Sequence, residues 1–375
     1  MIASSVRLMA RLRALWLKSA TPVDRYIGTA ALRAIVLVAA ALTALFSLLE
    51  FVEQLSSVGE GTYGLSDALA YVLLTAPSRL LQVTPVSMLL GCLLALGVFA
   101  RNSELIAFQS LGISEVRIIG AVLKLAVPIV VVLFLMAEFV IPPAQQLAQS
   151  QRTAALASTT PERGDSSFWA RGDHEYLNVQ RFDSARVAKN IDIYAFADDG
   201  SLTSFVHAER ADIEPDGTWS LGDVMRKRVE GSEFSTDRLD TLVWPSFVSA
   251  SQIRFLMLPP EFMPPVALYR YVQELAQHHQ QAIRYEQEFW RKVSIPFSIV
   301  AMILIAAPFV FGPPRAQSTG RQITIGAVFG IVFSLSQQIA GHLGLLLDFN
   351  PVIAALAPSL MLIALASHLF RHVRR

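Results

Sequence analysis

The chain has 375 residues, 53% of them hydrophobic and only 16% charged, with 31 Lys and Arg against 30 Asp and Glu. A soluble domain is usually about one-quarter charged, so a wholly water-facing protein is excluded. The net charge of +1 likewise excludes a general electrostatic pull toward nucleic acid.

Residues 1–20 carry Arg7, Arg11, Arg13 and Lys18, which interrupt every apolar run, so the segment lacks the core of a signal peptide. Leu8, Leu12, Leu15 and Trp16 recur at helical spacing. This predicts a basic amphipathic helix lying on a membrane surface over residues 1–28, with an unstructured basic arm as the alternative.

A spanning helix needs roughly 20 mostly apolar residues, and its backbone polar groups must be satisfied internally. Six stretches meet or approach this length: 30–49, 81–100, 118–141, 293–311, 323–347 and 352–369. Asp348, Asn350 and Pro351 supply a turn before the sixth. The one cysteine, Cys92, lies within the second stretch and reads as a small packed hydrophobe.

Basic residues set the orientation. The N-terminal segment has five, including Arg25. The loop after the second span has Arg101 and Arg117, that after the fourth Arg315 and Arg321, and the tail Arg371, Arg374 and Arg375. With six spans these segments share one side, expected to be the cytoplasm, with Arg33 and Lys124 snorkelling toward it. Arg291 and Lys292, on the opposite side, are outweighed.

Between the third and fourth spans the texture changes. Short segments at 175–180, 191–197, 202–208 and 219–225 alternate with turn pairs Gly172-Asp173, Asp199-Gly200 and Asp216-Gly217. This predicts an all-β sandwich, jelly roll or barrel. Residues 145–157 continue the third helix outward. Leu268, Val272 and Leu275 predict a connecting helix that runs through Tyr285 and Trp290 into the fourth span.

His174-Glu175 lacks the second histidine of a zinc-protease helix and His207 is isolated, so no metal or catalytic group is expected. There is no Gly-x-x-x-x-Gly-Lys-Ser/Thr and no Gly-x-Ser-x-Gly. The spans hold almost no ionisable groups away from their ends, which argues against an ion-coupled transporter. Such a chain needs its energy from elsewhere.

The loop 101–117 is the most informative short segment. Ser103 is placed to cap a helix, Glu104 suits its first turn, Leu105, Ile106 and Phe108 give it an apolar face, and Gly112 ends it. Two readings stay open: the helix rests on the membrane surface, or it inserts into a groove of a cytoplasmic partner with Glu104 meeting a basic residue.

Several segments together resemble one family. They are Asp24-Arg25-Tyr26-Ile27-Gly28, Phe51-Val52-Glu53-Gln54-Leu55, Ser103-Glu104-Leu105-Ile106-Ala107 with Gly112, Ile193-Tyr194-Ala195-Phe196, Tyr285-x-x-Glu288-x-x-Arg291-Lys292 and Phe311-Gly312-Pro313. In this order and with three-plus-three topology, the chain from about Asp24 onward resembles the permease subunits of the bacterial lipopolysaccharide exporter, the YjgP/YjgQ family, and the G-type more closely than the F-type.

The resemblance implies an α-helical membrane protein with six transmembrane helices and an inserted periplasmic all-β, jelly-roll-like domain. Its expected divisions are 1–28, 29–144, 145–265, 266–292 and 293–375. It implies a non-enzymatic half-transporter of the inner membrane with no cofactor of its own. The partners would be an F-type permease (LptF), a dimeric cytoplasmic ATPase (LptB) that uses ATP and Mg, and a periplasmic bridge protein (LptC) added at the β-domain edge. The cargo would be lipopolysaccharide.

In that frame residues 102–112 become a coupling helix, with Ser103, Glu104, Leu105, Ile106, Phe108 and Gly112 facing the ATPase. The lipid rim would involve Glu50, Glu53 and Arg152. Glu50 stands where the family commonly has a basic residue, so Arg152 is the better phosphate contact, with an interfacial anchor as its alternative role. A cation bridging Glu50 and Glu53 to phosphate is a further possibility. A reading from a different class is a membrane-anchored assembly protein whose β-domain docks periplasmic partners.

Overall fold

The computed structural model describes residues 21–156, 168–172, 174–184, 187–197, 200–214, 218–230, 233–246, 260–277, 283–311, 319–347 and 349–373. The expected amphipathic N-terminal helix lies outside the described residues. The chain forms two units, one running to Leu156 and resuming at Pro264, the other covering Ala157–Met263.

The first unit is helical: α1 (Pro22–Leu55), α2 (Leu65–Arg101), α3 (Glu104–Ser110), α4 (Glu115–Leu135), a π-helical segment (Met136–Val140), α5 (Ile141–Leu156), α6 (Pro265–Gln277), α7 (Ile283–Phe311), α8 (Thr319–Leu346) and α9 (Pro351–Val373). Six helices among the described residues are long and apolar enough to cross a membrane, and they coincide with the six predicted stretches. The helices outrun the apolar runs because polar first turns cap them. Thr21 and Asp24 form a reciprocal capping box on α1 with Pro22 in its first turn, and the Asn350 side chain accepts from the Val352 N–H at the start of α9.

Helix α2 is the centre of this unit, packing on α1, α5, α7 and α8. Over Val83–Phe99 most of its residues are buried, the pattern of a helix packed on more than one side, whereas Leu65, Leu69 and Leu73 in its first turns are exposed. Met88, Leu89, Cys92 and Leu93 are wholly buried against Ile27 and Ile35 of α1, Ile118 of α4 and Met302 of α7. Cys92 is the packed hydrophobe expected. The crossing of α1 and α2 depends on Gly91, where an added Cβ would lie 2.6 Å from the Ile35 Cα. Gly91→Ala is expected to force the helices apart at a cost of about 1–3 kcal/mol. A lower thermal unfolding midpoint of the solubilised chain would show it.

Lys124 does more than snorkel. It donates to the buried Asp24 carboxylate at 2.9 Å and so ties α4 to the start of α1.

The second unit holds β1 (Phe168–Arg171), β2 (Glu175–Ser184), β3 (Val187–Phe196), β4 (Leu202–Ile213), β5 (Thr218–Glu230) and β6 (Glu233–Pro245). The expected all-β insertion is present, and its described strands form one antiparallel sheet in sequence order, a meander; the two Greek-key sheets of a jelly roll are not seen among the described residues. Alternate residues Leu177/Val179, Ile191/Ile193, Val206/Ala208 and Trp219/Leu221 build one buried face, closed by an edge-to-face Trp219–Trp244 pair at 5.8 Å. Trp169, Tyr194 and Phe205 stack in a row across the sheet. His207 is not isolated: it pairs with Asp192 on the neighbouring strand at 2.7 Å. Edge strands β1 and β6 were not anticipated, because Phe168–Arg171 is very short and β6 interleaves charges along its length.

Candidate functional site

Two clusters stand at opposite ends of the helical unit. The first is the α2–α3–α4 corner. Gly112, at φ +79°, terminates α3 with the bond pair Ile113 N–H to Phe108 carbonyl (3.0 Å) and Gly112 N–H to Gln109 carbonyl (2.9 Å), the Schellman arrangement. Its predicted role as helix terminator holds.

Ser103 does not cap α3 as expected. Its backbone is left-handed (φ 60°, ψ 13°), whereas a capping side chain needs an extended backbone to reach the next N–H groups, and its hydroxyl makes no such bond. Ser103→Gly is therefore expected to be neutral or to stabilise by up to about 1 kcal/mol, since glycine has no Cβ penalty there; thermal melting measures it.

Glu104 is held by two donors, the Tyr26 hydroxyl at 3.0 Å and Asn102 Nδ2 at 3.3 Å. Tyr26 stacks on Phe99 at 5.5 Å, and Phe108 meets both rings edge-on. Leu105 is buried beneath. The short helix is thus fastened to α1 and α2 by one side. Its other side is bare: Ile106 is 63% and Leu111 77% exposed. A notch of about 340 Å³ between α1 and α3 is lined by Pro22, Val23, Tyr26, Glu104, Ala107 and Phe108. A carboxylate set in an apolar notch and ringed by bare aliphatics suits a basic or aromatic side chain of a partner.

The second cluster lies where α1, α2 and α5 come together near the chain's exit to the β unit. Glu50 is not a lone acid. Arg79 of α2 meets it at 2.5 Å, and Gln54 Nε2 donates to its other oxygen at 3.3 Å. The buried Tyr63 hydroxyl donates to Gln54. Burial pushes the Tyr63 phenol above its ordinary range, with Arg152 acting against this and Glu50 adding to it, so both groups act on one ring.

Arg152 lies over Tyr71 at 5.6 Å, and its Nε is buried without a hydrogen-bond partner, as is that of Arg79. Tyr71 in turn accepts from Gln149, and Gln145 donates to Ser78 at 2.7 Å. Glu53 is exposed on the outer face of α1. The predicted residues Glu50 and Arg152 therefore belong to one network, and Glu53 lies apart from it.

Arg79 is the residue that the sequence reading missed. It sits just ahead of the apolar run 81–100 and so outside the predicted span, whereas α2 begins at Leu65 and carries Arg79 within it against α1. Among the described residues no group of three or more His, Cys, Asp or Glu could hold a metal.

Two three-helix groups, a short helix between the second and third spans and a β unit inserted in the chain between the third and fourth define a six-span membrane protein built on the three-plus-three plan. The chain matches the family model for the lipopolysaccharide export system permease LptF/LptG over residues 25–372, and it belongs to that family. It is 32% identical to the lipopolysaccharide export system permease protein LptG of Haemophilus influenzae over 343 residues, 91% of this chain and 96% of the relative. It is 31% identical to that of Escherichia coli K12, covering 90% and 94%. These relatives are of the G type, which supports the G-type over the F-type reading.

Proposed function

We propose that the chain is the G-type permease of an ATP-driven exporter that lifts lipopolysaccharide out of a bacterial inner membrane and hands it to a periplasmic bridge. The observation that carries this is the α3 corner within a chain of this family. A seven-residue helix is locked to α1 through Tyr26 and Glu104 while Ile106 and Leu111 stand bare. With no phosphate-binding loop in the chain, that bare surface is the place for a nucleotide-hydrolysing subunit to push.

The termini and α3 lie in the cytoplasm in this reading, and the β unit in the periplasm, as the excess of arginines on the terminal side supports. The ATPase, which uses ATP and Mg, docks at Glu104, Ile106 and Leu111, while Leu105, expected from the sequence to face it, is buried and with Phe108 seats the helix on α1 and α2. An F-type permease packs on the exposed faces of the helical unit, where Leu37, Leu48 and Val52 of α1 are bare. The bridge protein adds its strands at a sheet edge, β1 or β6, where backbone groups await a partner. Arg152 is the cation offered to lipid phosphate, because the charge of Arg79 is already met by Glu50.

The test is to purify the full chain from its native membrane under mild detergent and to identify bound proteins and lipid by mass spectrometry. A dimeric ATPase, a second permease and lipid A are expected. Recovery of a different lipid overturns the cargo assignment. Recovery of the chain with periplasmic proteins but no ATPase favours the anchored assembly protein.

A further inference from the structure

A second cavity in the helical unit is separate from the α1–α2–α5 network. It has a volume of about 550 Å³ and lies between the end of α4, the first turn of α6 and α7. Leu133 and Phe134 of α4, Tyr269 of α6 and Phe297 of α7 form its apolar walls. At its end α4 becomes π-helical over Met136–Val140, which widens the helix and sets the small Ala137 at the cavity's edge. That same segment turns Glu138 outward to accept from the Val266 N–H at 3.1 Å, and this holds the first turn of α6 against the opening. Pro296, inside α7, lines the opposite wall.

Lys292 is the one charged side chain among the described residues that line this space. An apolar cavity at membrane depth is a poor place for water and loses packing if empty, while the bilayer offers hydrocarbon at the opening. Lys292 directly precedes the apolar run 293–311 of α7, where a headgroup would lie. We infer that the cavity holds an acyl chain of an anionic glycerophospholipid, with the phosphate resting at Lys292.

The size and charge favour a phospholipid over the exported glycolipid. A cavity of about 550 Å³ suits one acyl chain and one lysine suits one phosphate, whereas the cargo has several chains and a multiply phosphorylated head. The inference goes beyond the proposed transport function, and it assigns α6 a lipid-filled seat against α4 and α7.

The probe is dioleoyl phosphatidylglycerol, compared with dioleoyl phosphatidylcholine, each titrated onto the delipidated complex and read by native mass spectrometry. Wild type is expected to retain one phosphatidylglycerol, favoured roughly fivefold over phosphatidylcholine, the factor that one lysine near an anionic headgroup supplies. Lys292→Ala should remove the preference, and Ala137→Trp should abolish retention by filling the space. Unchanged retention in a monodisperse Ala137→Trp complex overturns the inference. If that variant does not fold, an unchanged preference in Lys292→Ala overturns it alone. Loss of bound lipopolysaccharide instead of phosphatidylglycerol in Ala137→Trp also overturns it, because the cavity would then serve the cargo.

Discussion

Glu104→Lys is expected to uncouple the chain from the proposed ATPase partner and abolish lipid export while the membrane helices stay folded. The carboxylate lies in a notch lined by Pro22, Val23 and Phe108, so a partner cation reaching it would leave water. Truncating one partner of such a pair costs about 2–5 kcal/mol, and reversing its sign costs more. At 1.4 kcal/mol per tenfold, the ATPase should bind at least roughly 30-fold more weakly. Two further variants separate this from mere displacement of α3. Glu104→Gln keeps an oxygen for the Tyr26 hydroxyl but loses the charge, so it should weaken association by an intermediate amount. Tyr26→Phe loses the bond at 3.0 Å and keeps the charge, so ATPase recovery should stay near wild type. Co-purification and lipid release measure all three. Normal assembly and export in Glu104→Lys would remove the coupling role.

What was legible in the sequence is what hydropathy and turn chemistry encode. The six spans were readable because lipid forces long apolar runs, and the hairpins of the β unit because alternation and Gly-Asp pairs recur. The break at Gly112 was readable because few other residues adopt positive φ. Side-chain pairing between distant helices was not. Arg79 and Glu50 lie 29 positions apart, and neither shows in sequence which partner it faces. Ser103 looked like a cap because its type and position fit, but the sharp turn after Asn102 put it at φ 60°. The π segment at Met136–Val140 has no hydropathy signature, so nothing in the sequence marks Glu138 as the acceptor for α6.

The pairing of Glu50 with Arg79 changes what is expected of the lipid rim. At side-chain exposures of 15% and 21%, each charge relies on the other, and removing one partner of such a pair costs roughly 3 kcal/mol or more. Arg79→Glu would set two carboxylates in contact, so a steep fall in folded protein is expected. The exchange Glu50→Arg with Arg79→Glu restores the pair in reverse and should recover most of the folded yield. Export by the exchanged variant then distinguishes the roles of the two arginines. If Arg79 serves only Glu50 and Arg152 meets phosphate, export returns with folding. If Arg79 itself contacts the cargo, folding returns and export does not. The first outcome is expected, because Arg79 already has a carboxylate at 2.5 Å and Arg152 has only the Tyr71 ring and a buried Nε without a partner. Arg152→Ala should accordingly lose little stability, on the order of 0.5–1 kcal/mol for the ring contact, while export and bound lipid fall sharply. A variant that keeps both would leave the helix end without an assigned phosphate contact and return that role to the proposed F-type partner.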